Sequence, residues 1–206
     1  PTPLTSGDVI QIGRHAITFV QTQEPVAQVD PNAGRTQFLV ERQLVSVLVV
    51  DVLNYTGLSS ALGPDRTAEM MGSIFRDSGE VLNQTGCWST KFIGDAIMAV
   101  WVHPSNAIAR ADLVKAFDVI SAYQEIFQLA ERKFQPGVAL RFGCALSAGM
   151  ASIGNIGSAG AADFTAMGET VNIAFRLESA TKQAGCDVLI ANDVFDALSD
   201  VYFQPE

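Results

Sequence analysis

The run Leu44-Val45-Ser46-Val47-Leu48-Val49-Val50 ends on an aspartate, Asp51, and this junction constrains the fold more than any other stretch. An apolar run of this length, rich in β-branched residues, predicts a buried strand from about Gln43 to Asp51. Desolvating a carboxylate is expensive, so a buried strand rarely ends on one that has no partner and no task. A second aspartate stands in a matching place. Lys91-Phe92-Ile93-Gly94-Asp95 leads through a Gly-Asp turn into Ala96-Ile97-Met98-Ala99-Val100-Trp101. Either aspartate alone reads more readily as a cap, for Asp51, or a turn residue, for Asp95. Converging at one sheet edge, the two make a hard, oxygen-rich site that suits Mg²⁺ or Mn²⁺ carrying a phosphate substrate.

The rest of the chain supplies elements for one main sheet. A helix is expected from Asp65 to Leu82, with Met70, Met71, Ile74, Phe75 and Val81 on its apolar face. The hairpin follows: Cys87 to Ile93, a turn at Gly94-Asp95, then Ala96 to Val102. A long helix is expected over about Asn106–Arg132, ended by Pro136 and Gly137. Val138–Ala148 reads as a strand, and the glycine-rich stretch Gly149–Gly160 leads to Phe164-Thr165-Ala166-Met167. A helix then runs from near Gly168 to about Thr181, with Ile173 and Leu177 as an i, i+4 stripe that can face the core. A strand at Val188–Ala191 and a short helix after Asp193 follow. This order is an α+β sandwich and not an alternating parallel pattern. Residues 1–22 hold two short β segments, residues 23–42 have linker composition, and residues 43–206 form the main domain.

Composition narrows the chemistry. The chain has 206 residues, a net charge of −9 and 48% hydrophobic residues, which excludes a broad nucleic-acid surface and fits an ordinary globular domain. No apolar stretch approaches the length of a membrane span. Cys87, Cys144 and Cys186 form no metal pattern and read as reduced thiols of a cytoplasmic protein. Gly149–Ser158 lacks the GK[ST] ending of a phosphate loop. His15 and His103 have no metal-spaced partner and read as incidental, and Trp88 and Trp101 read as packing residues.

A third segment, Thr165-Ala166-Met167-Gly168-Glu169-Thr170-Val171-Asn172-Ile173-Ala174-Phe175-Arg176-Leu177-Glu178, places Asn172 and Arg176 on one helix face. A planar cation beside an amide suits a phosphate and a ribose, although a solvated polar face looks the same in sequence. Together the three segments closely resemble the class III nucleotidyl cyclases over about Gln43–Glu206, most of all the soluble bacterial adenylyl cyclases of cyanobacterial type. The first strands resemble the last strands of a forkhead-associated domain, a phosphothreonine-reading β-sandwich; an irregular N-terminal arm is the alternative.

The resemblance implies a ferredoxin-like core sheet with helices packed on it, active as a head-to-tail homodimer. It implies conversion of ATP to 3′,5′-cyclic AMP and pyrophosphate with two Mg²⁺ or Mn²⁺ ions per site. By motif position, Asp51, Asp95 and the backbone carbonyl of Val52 match the metal ligands. Lys91 and Thr165 match the purine-reading pair, Asn172 the ribose-orienting asparagine and Arg176 the transition-state arginine. Lys91 favours ATP, whereas Thr165 stands where many adenylyl cyclases have aspartate, which leaves a guanylyl or mixed-specificity cyclase as the alternative. A Lys/Thr pair also resembles the bicarbonate-responsive subgroup. A non-catalytic nucleotide-binding module is opposed by the presence of both aspartates, the asparagine and the arginine. A receiver domain is opposed by the topology, and a diguanylate cyclase by the absence of a GG[DE]EF turn. The family's further triphosphate-contacting lysine falls after Glu206, and a phosphothreonine peptide is the partner that a forkhead-associated domain would bring.

Overall fold

β3 (Leu39–Leu53) is the axis of the main sheet. It pairs antiparallel with β5 (Ala96–Val102) on one side and along its whole length with β6 (Arg141–Asn155) on the other. The computed structural model describes residues 5–12, 15–20, 39–105, 107–155 and 163–202. The chain divides into two units, Pro1–Arg35 and Thr36–Glu206. The first holds an antiparallel hairpin, β1 (Val9–Ile12) with β2 (His15–Thr18). The expected linker, residues 23–42, lies mostly outside the described residues, and its last four are already strand β3.

The second unit is α+β. β4 (Ser89–Ile93), β5, β3, β6 and β7 (Phe164–Met167) lie in that order, with β8 (Val188–Ile190) parallel to β6. The chain order β3, α1 (Tyr55–Leu62) and α2 (Pro64–Gln84), β4, β5, α3 (Arg110–Phe134), β6 is the βαββαβ unit of a ferredoxin-like sheet. α4 (Glu169–Ala184) and α5 (Asn192–Tyr202) complete it.

Strand alternation gives β3 two apolar faces. Leu48, Val50 and Val52 meet α1, α2, α3 and α5 through Leu58, Met70, Ile74, Leu113, Tyr123, Phe127, Val194 and Leu198. Val45, Val47 and Val49 look the other way, toward a smaller core with Met98, Val100, Val171 and Ala174, where α4 covers the sheet. Leu48 and Leu146 are fully enclosed, so truncating either to alanine costs about 2–5 kcal/mol.

The sheet curls over this smaller core until its edges touch. Ser89 Oγ donates to the Phe164 carbonyl at 2.8 Å, and the Trp88 and Phe164 rings meet edge to face. Several elements differ from the sequence expectation. β3 and β6 are both longer, because the glycine-rich segment after Ala148 stays paired with β3 through Asn155. α1 is an unforeseen helix, started by Asn54 in the left-handed region at φ 58°. α3 begins four residues later than expected and runs on to Phe134.

Candidate active site

Asp51 continues the β3 alternation of Val47 and Val49, so it faces the α4 side of the sheet. Asp95 sits in the two-residue turn between Ile93 and Ala96, with Gly94 at φ 64° in the first position, as a type II′ hairpin requires. β5 is the ladder neighbour of β3, with Val50 opposite Ile97, and this register brings the turn alongside the end of β3. The two carboxyls lie close enough for the charge of one to act on the other. Burial, then the charge of Asp95, raises the Asp51 carboxyl above its ordinary value; the charge of Lys182 and the polar backbone at Val52 oppose the shift. Asp51 Oδ1 is buried without a hydrogen-bond partner.

An orphaned buried oxygen beside a second carboxylate fits a hard divalent cation. Among the described residues, no three His, Cys, Asp or Glu side chains form a metal-holding group. A cation here would therefore take the two aspartates and draw further oxygens from backbone, water or a bound phosphate.

Lys91 lies opposite Met98 in the β4–β5 ladder, which puts it on the same side of the sheet as Asp51. Its ammonium is tied at 2.6 Å to Asp163, just before β7 and across the closed edges of the sheet. Thr165 is half-buried within β7. On α4, Asn172 and Arg176 are exposed on a common face, as their spacing requires. Arg176 Nη2 donates to Glu169 Oε1 at 3.0 Å, and both side chains are well exposed, so the pair adds little stability and separates readily.

The sequence profile of the adenylate and guanylate cyclase catalytic domain matches residues 40–206, most of the chain. The chain belongs to this cyclase family. An adenylate cyclase of Anabaena cylindrica is 28% identical over 159 residues, covering 75% of this chain and 31% of the relative. Adenylate cyclase 1 of Rhizobium meliloti (strain 1021) is 30% identical over 167 residues, covering 80% and 25%. The chain thus spans a third or less of each of these curated relatives. The fold is that of the adenylyl cyclase CyaB from P. aeruginosa, with a TM-score of 0.68 and 24% identity over 79% of this chain and 83% of that one. The guanylyl cyclase Cya2 superposes with a TM-score of 0.63 at 23% identity, covering 76% and 79%. Among the described residues, no helix of the cyclase domain is long and apolar enough to cross a membrane.

Three residues of the cyclase domain escape a sequence reading. Asp163 partners Lys91 from the opposite edge of the sheet, a contact that no local spacing reveals. Glu178 lies on the buried stripe of α4 with Thr170, Val171, Ala174 and Thr181, whereas Ile173 and Leu177, expected to face the core, are only half-buried. Two glycines on β6 explain the choice. A Cβ at Gly143 would come within 2.5 Å of Thr181 Oγ1, and one at Gly149 within 2.8 Å of Thr170 Oγ1, so small and polar α4 side chains fill that space. His103, read as incidental, is 1% exposed and bonds Ser46 Oγ at 2.8 Å. The Ala109 N–H donates to its Nδ1, so Nε2 carries the proton and donates to Ser46. This tautomer leaves Nδ1 with no proton to give Asp112, 3.4 Å away, so the buried Ser46–His103 pair is a structural tie and not part of a nucleophilic triad.

Proposed function

We propose that this domain is an adenylyl cyclase that converts ATP to 3′,5′-cyclic AMP and pyrophosphate. The observation that carries the reading is the convergence of Asp51 and Asp95 at the end of β3, with Asp51 Oδ1 left without a donor. In this reading, Asp51, Asp95 and the Val52 carbonyl hold two divalent cations, Mg²⁺ or Mn²⁺. When bound, these lower the pKa of the ribose 3′-hydroxyl and neutralise charge on the triphosphate. The reaction forms a bond from the ribose 3′-oxygen to the α-phosphorus and breaks the bond from that phosphorus to the oxygen bridging to the β-phosphate.

Arg176 leaves the weak Glu169 contact and sets its guanidinium on the phosphate as charge builds there. Asn172, one turn earlier on the same face, orients the ribose. Lys91 donates to N1 of adenine, and Thr165 accepts from the 6-amino group. The two halves of the site come from two chains arranged head to tail. One gives Asp51 and Asp95, the other Lys91, Thr165, Asn172 and Arg176, so a homodimer carries two sites. Exposed Met150, Phe164 and Met167 on β6 and β7 support a partner covering that region. Free thiols at Cys87, Cys144 and Cys186 and a nucleotide substrate support a cytoplasmic setting.

A second reading, a guanylyl or mixed-specificity cyclase, is favoured by one observation: the hydroxyl of Thr165 donates as readily as it accepts. The test is product formation from ATP and from GTP, each with Mg²⁺ and with Mn²⁺, beside an Asp95→Ala control. Cyclic AMP that vanishes in the control is the expected result. Predominant cyclic GMP moves the assignment to the second reading, and no product from either nucleotide, with a chain extended past Glu206 equally silent, rejects both.

A further inference from the structure

α4 presses a carboxylate toward the strand that carries Asp51. Glu178 is 5% exposed, and its Oε1 is buried without a hydrogen-bond partner; Ser179 reaches only the other oxygen, at 3.4 Å. A buried charged group left in this way is costly and calls for compensation. Gly143 makes the seat. It pairs with Asp51 in the β3–β6 ladder, and a Cβ there would lie 3.1 Å from Glu178 Oε1. The Glu178 carboxyl therefore fills the space above the direct neighbour of Asp51, and Asp51 Oδ1 is itself an orphan. After burial, Asp51 is the largest cause holding Glu178 above its ordinary proton affinity; Asp95 adds to it, and exposed Lys182, one turn further along α4, opposes it. Two carboxyls with buried oxygens lacking donors, Asp51 and Glu178, share the influence of one solvated ammonium.

We infer that Glu178 is a positioning residue of the cation site, an outer carboxylate that stands behind Asp51, accepts hydrogen bonds from water on the cation, and couples cation binding to the seating of α4. The inference rests on the reading of Asp51 and Asp95 as cation ligands. Glu178 is not itself a third ligand, since among the described residues no such three-residue group forms. Its position on α4 matters because the same helix bears Asn172 and Arg176. A cation that draws Glu178 toward β3 fixes the platform from which those side chains project.

The test titrates Mn²⁺ into nucleotide-free protein and follows free Mn²⁺ by electron paramagnetic resonance. Glu178→Gln is expected to weaken Mn²⁺ binding by about 10- to 100-fold, the usual effect of losing an outer-shell partner. Without metal, the variant is expected to melt no lower than wild type, because one of the repelling carboxyls is gone. Unchanged Mn²⁺ affinity with a lowered metal-free melting temperature marks a merely structural residue and overturns the inference. Amide exchange in the wild type needs no variant: Mn²⁺ is expected to slow exchange between Ala174 and Thr181, and an α4 indifferent to Mn²⁺ also overturns it. Asp51→Asn separates the two readings. If it binds Mn²⁺ as wild type does, the cation-site reading falls and this inference with it. If it loses binding while Glu178→Gln keeps it, only the role of Glu178 falls.

Discussion

In the proposed site, Lys91 would not meet a purine alone. Its ammonium and the Asp163 carboxylate, 2.6 Å apart, set a donor beside an acceptor. That order matches the N1 acceptor and 6-amino donor of adenine and opposes the N1–H and 6-oxo group of guanine. Asp163→Asn is therefore expected to lower the ATP-over-GTP ratio of kcat/KM by about tenfold or more, since hydrogen bonds to charged groups are worth about 1.5–3 kcal/mol. Thr165→Val, which removes an ambivalent hydroxyl, should move the ratio less; steady-state assays with both nucleotides decide. His103 makes a prediction about acid. Burial lowers its proton affinity below the ordinary value of 6.5, while Asp112, itself bonded to Lys115, opposes the shift. The unfolded chain thus binds the extra proton first, and stability falls as pH drops below about 6.5, with no such penalty above it. Asp51 and Glu178, with raised proton affinities, contribute with the opposite sign. The His103 share is the difference between wild type and His103→Gln, whose melting temperature should decline less on acidification.

At the scale of elements, what the sequence discloses depends on how local the cause is. Asp51 and Asp95 are legible because one ends an apolar run and the other follows a glycine in a hairpin turn, both features of adjacent residues. The spacing of Asn172 and Arg176 is equally local. The full length of β6 is not legible, because glycines at 149 and 154 look like a loop until β3 is there to pair with them. The buried stripe of α4 is misread for a related reason. Apolar periodicity points to Ile173 and Leu177, but the close approach of α4 to β6 at Gly143 and Gly149 admits Thr170, Glu178 and Thr181 instead. Gly143→Ala tests that contact. The added methyl would meet Thr181 Oγ1, which is buried and donates to the Glu178 carbonyl and so cannot swing away freely. An overpacking cost of about 1–3 kcal/mol is expected, read from denaturant melts.

For the whole molecule, the head-to-tail reading makes a demand that no single site can meet. An Asp51→Ala chain and an Arg176→Ala chain are each expected to be inactive alone, and mixed they should regain activity, because one heterodimer site then holds neither substitution. Heterodimers demonstrated by pull-down but without turnover would show that each chain works from its own residues. The sheet has its own consequence, one of timing. β3 forms ladders with β5 and β6, and roughly ninety residues separate the end of β3 from the start of β6. At a synthesis rate of about 5–20 residues per second, the ribosome exposes the apolar run Leu44–Val50 for roughly 5–20 seconds before its longer partner exists. During that interval one edge of β3 has no strand to pair with, and the nascent domain is at its most vulnerable to association with other chains.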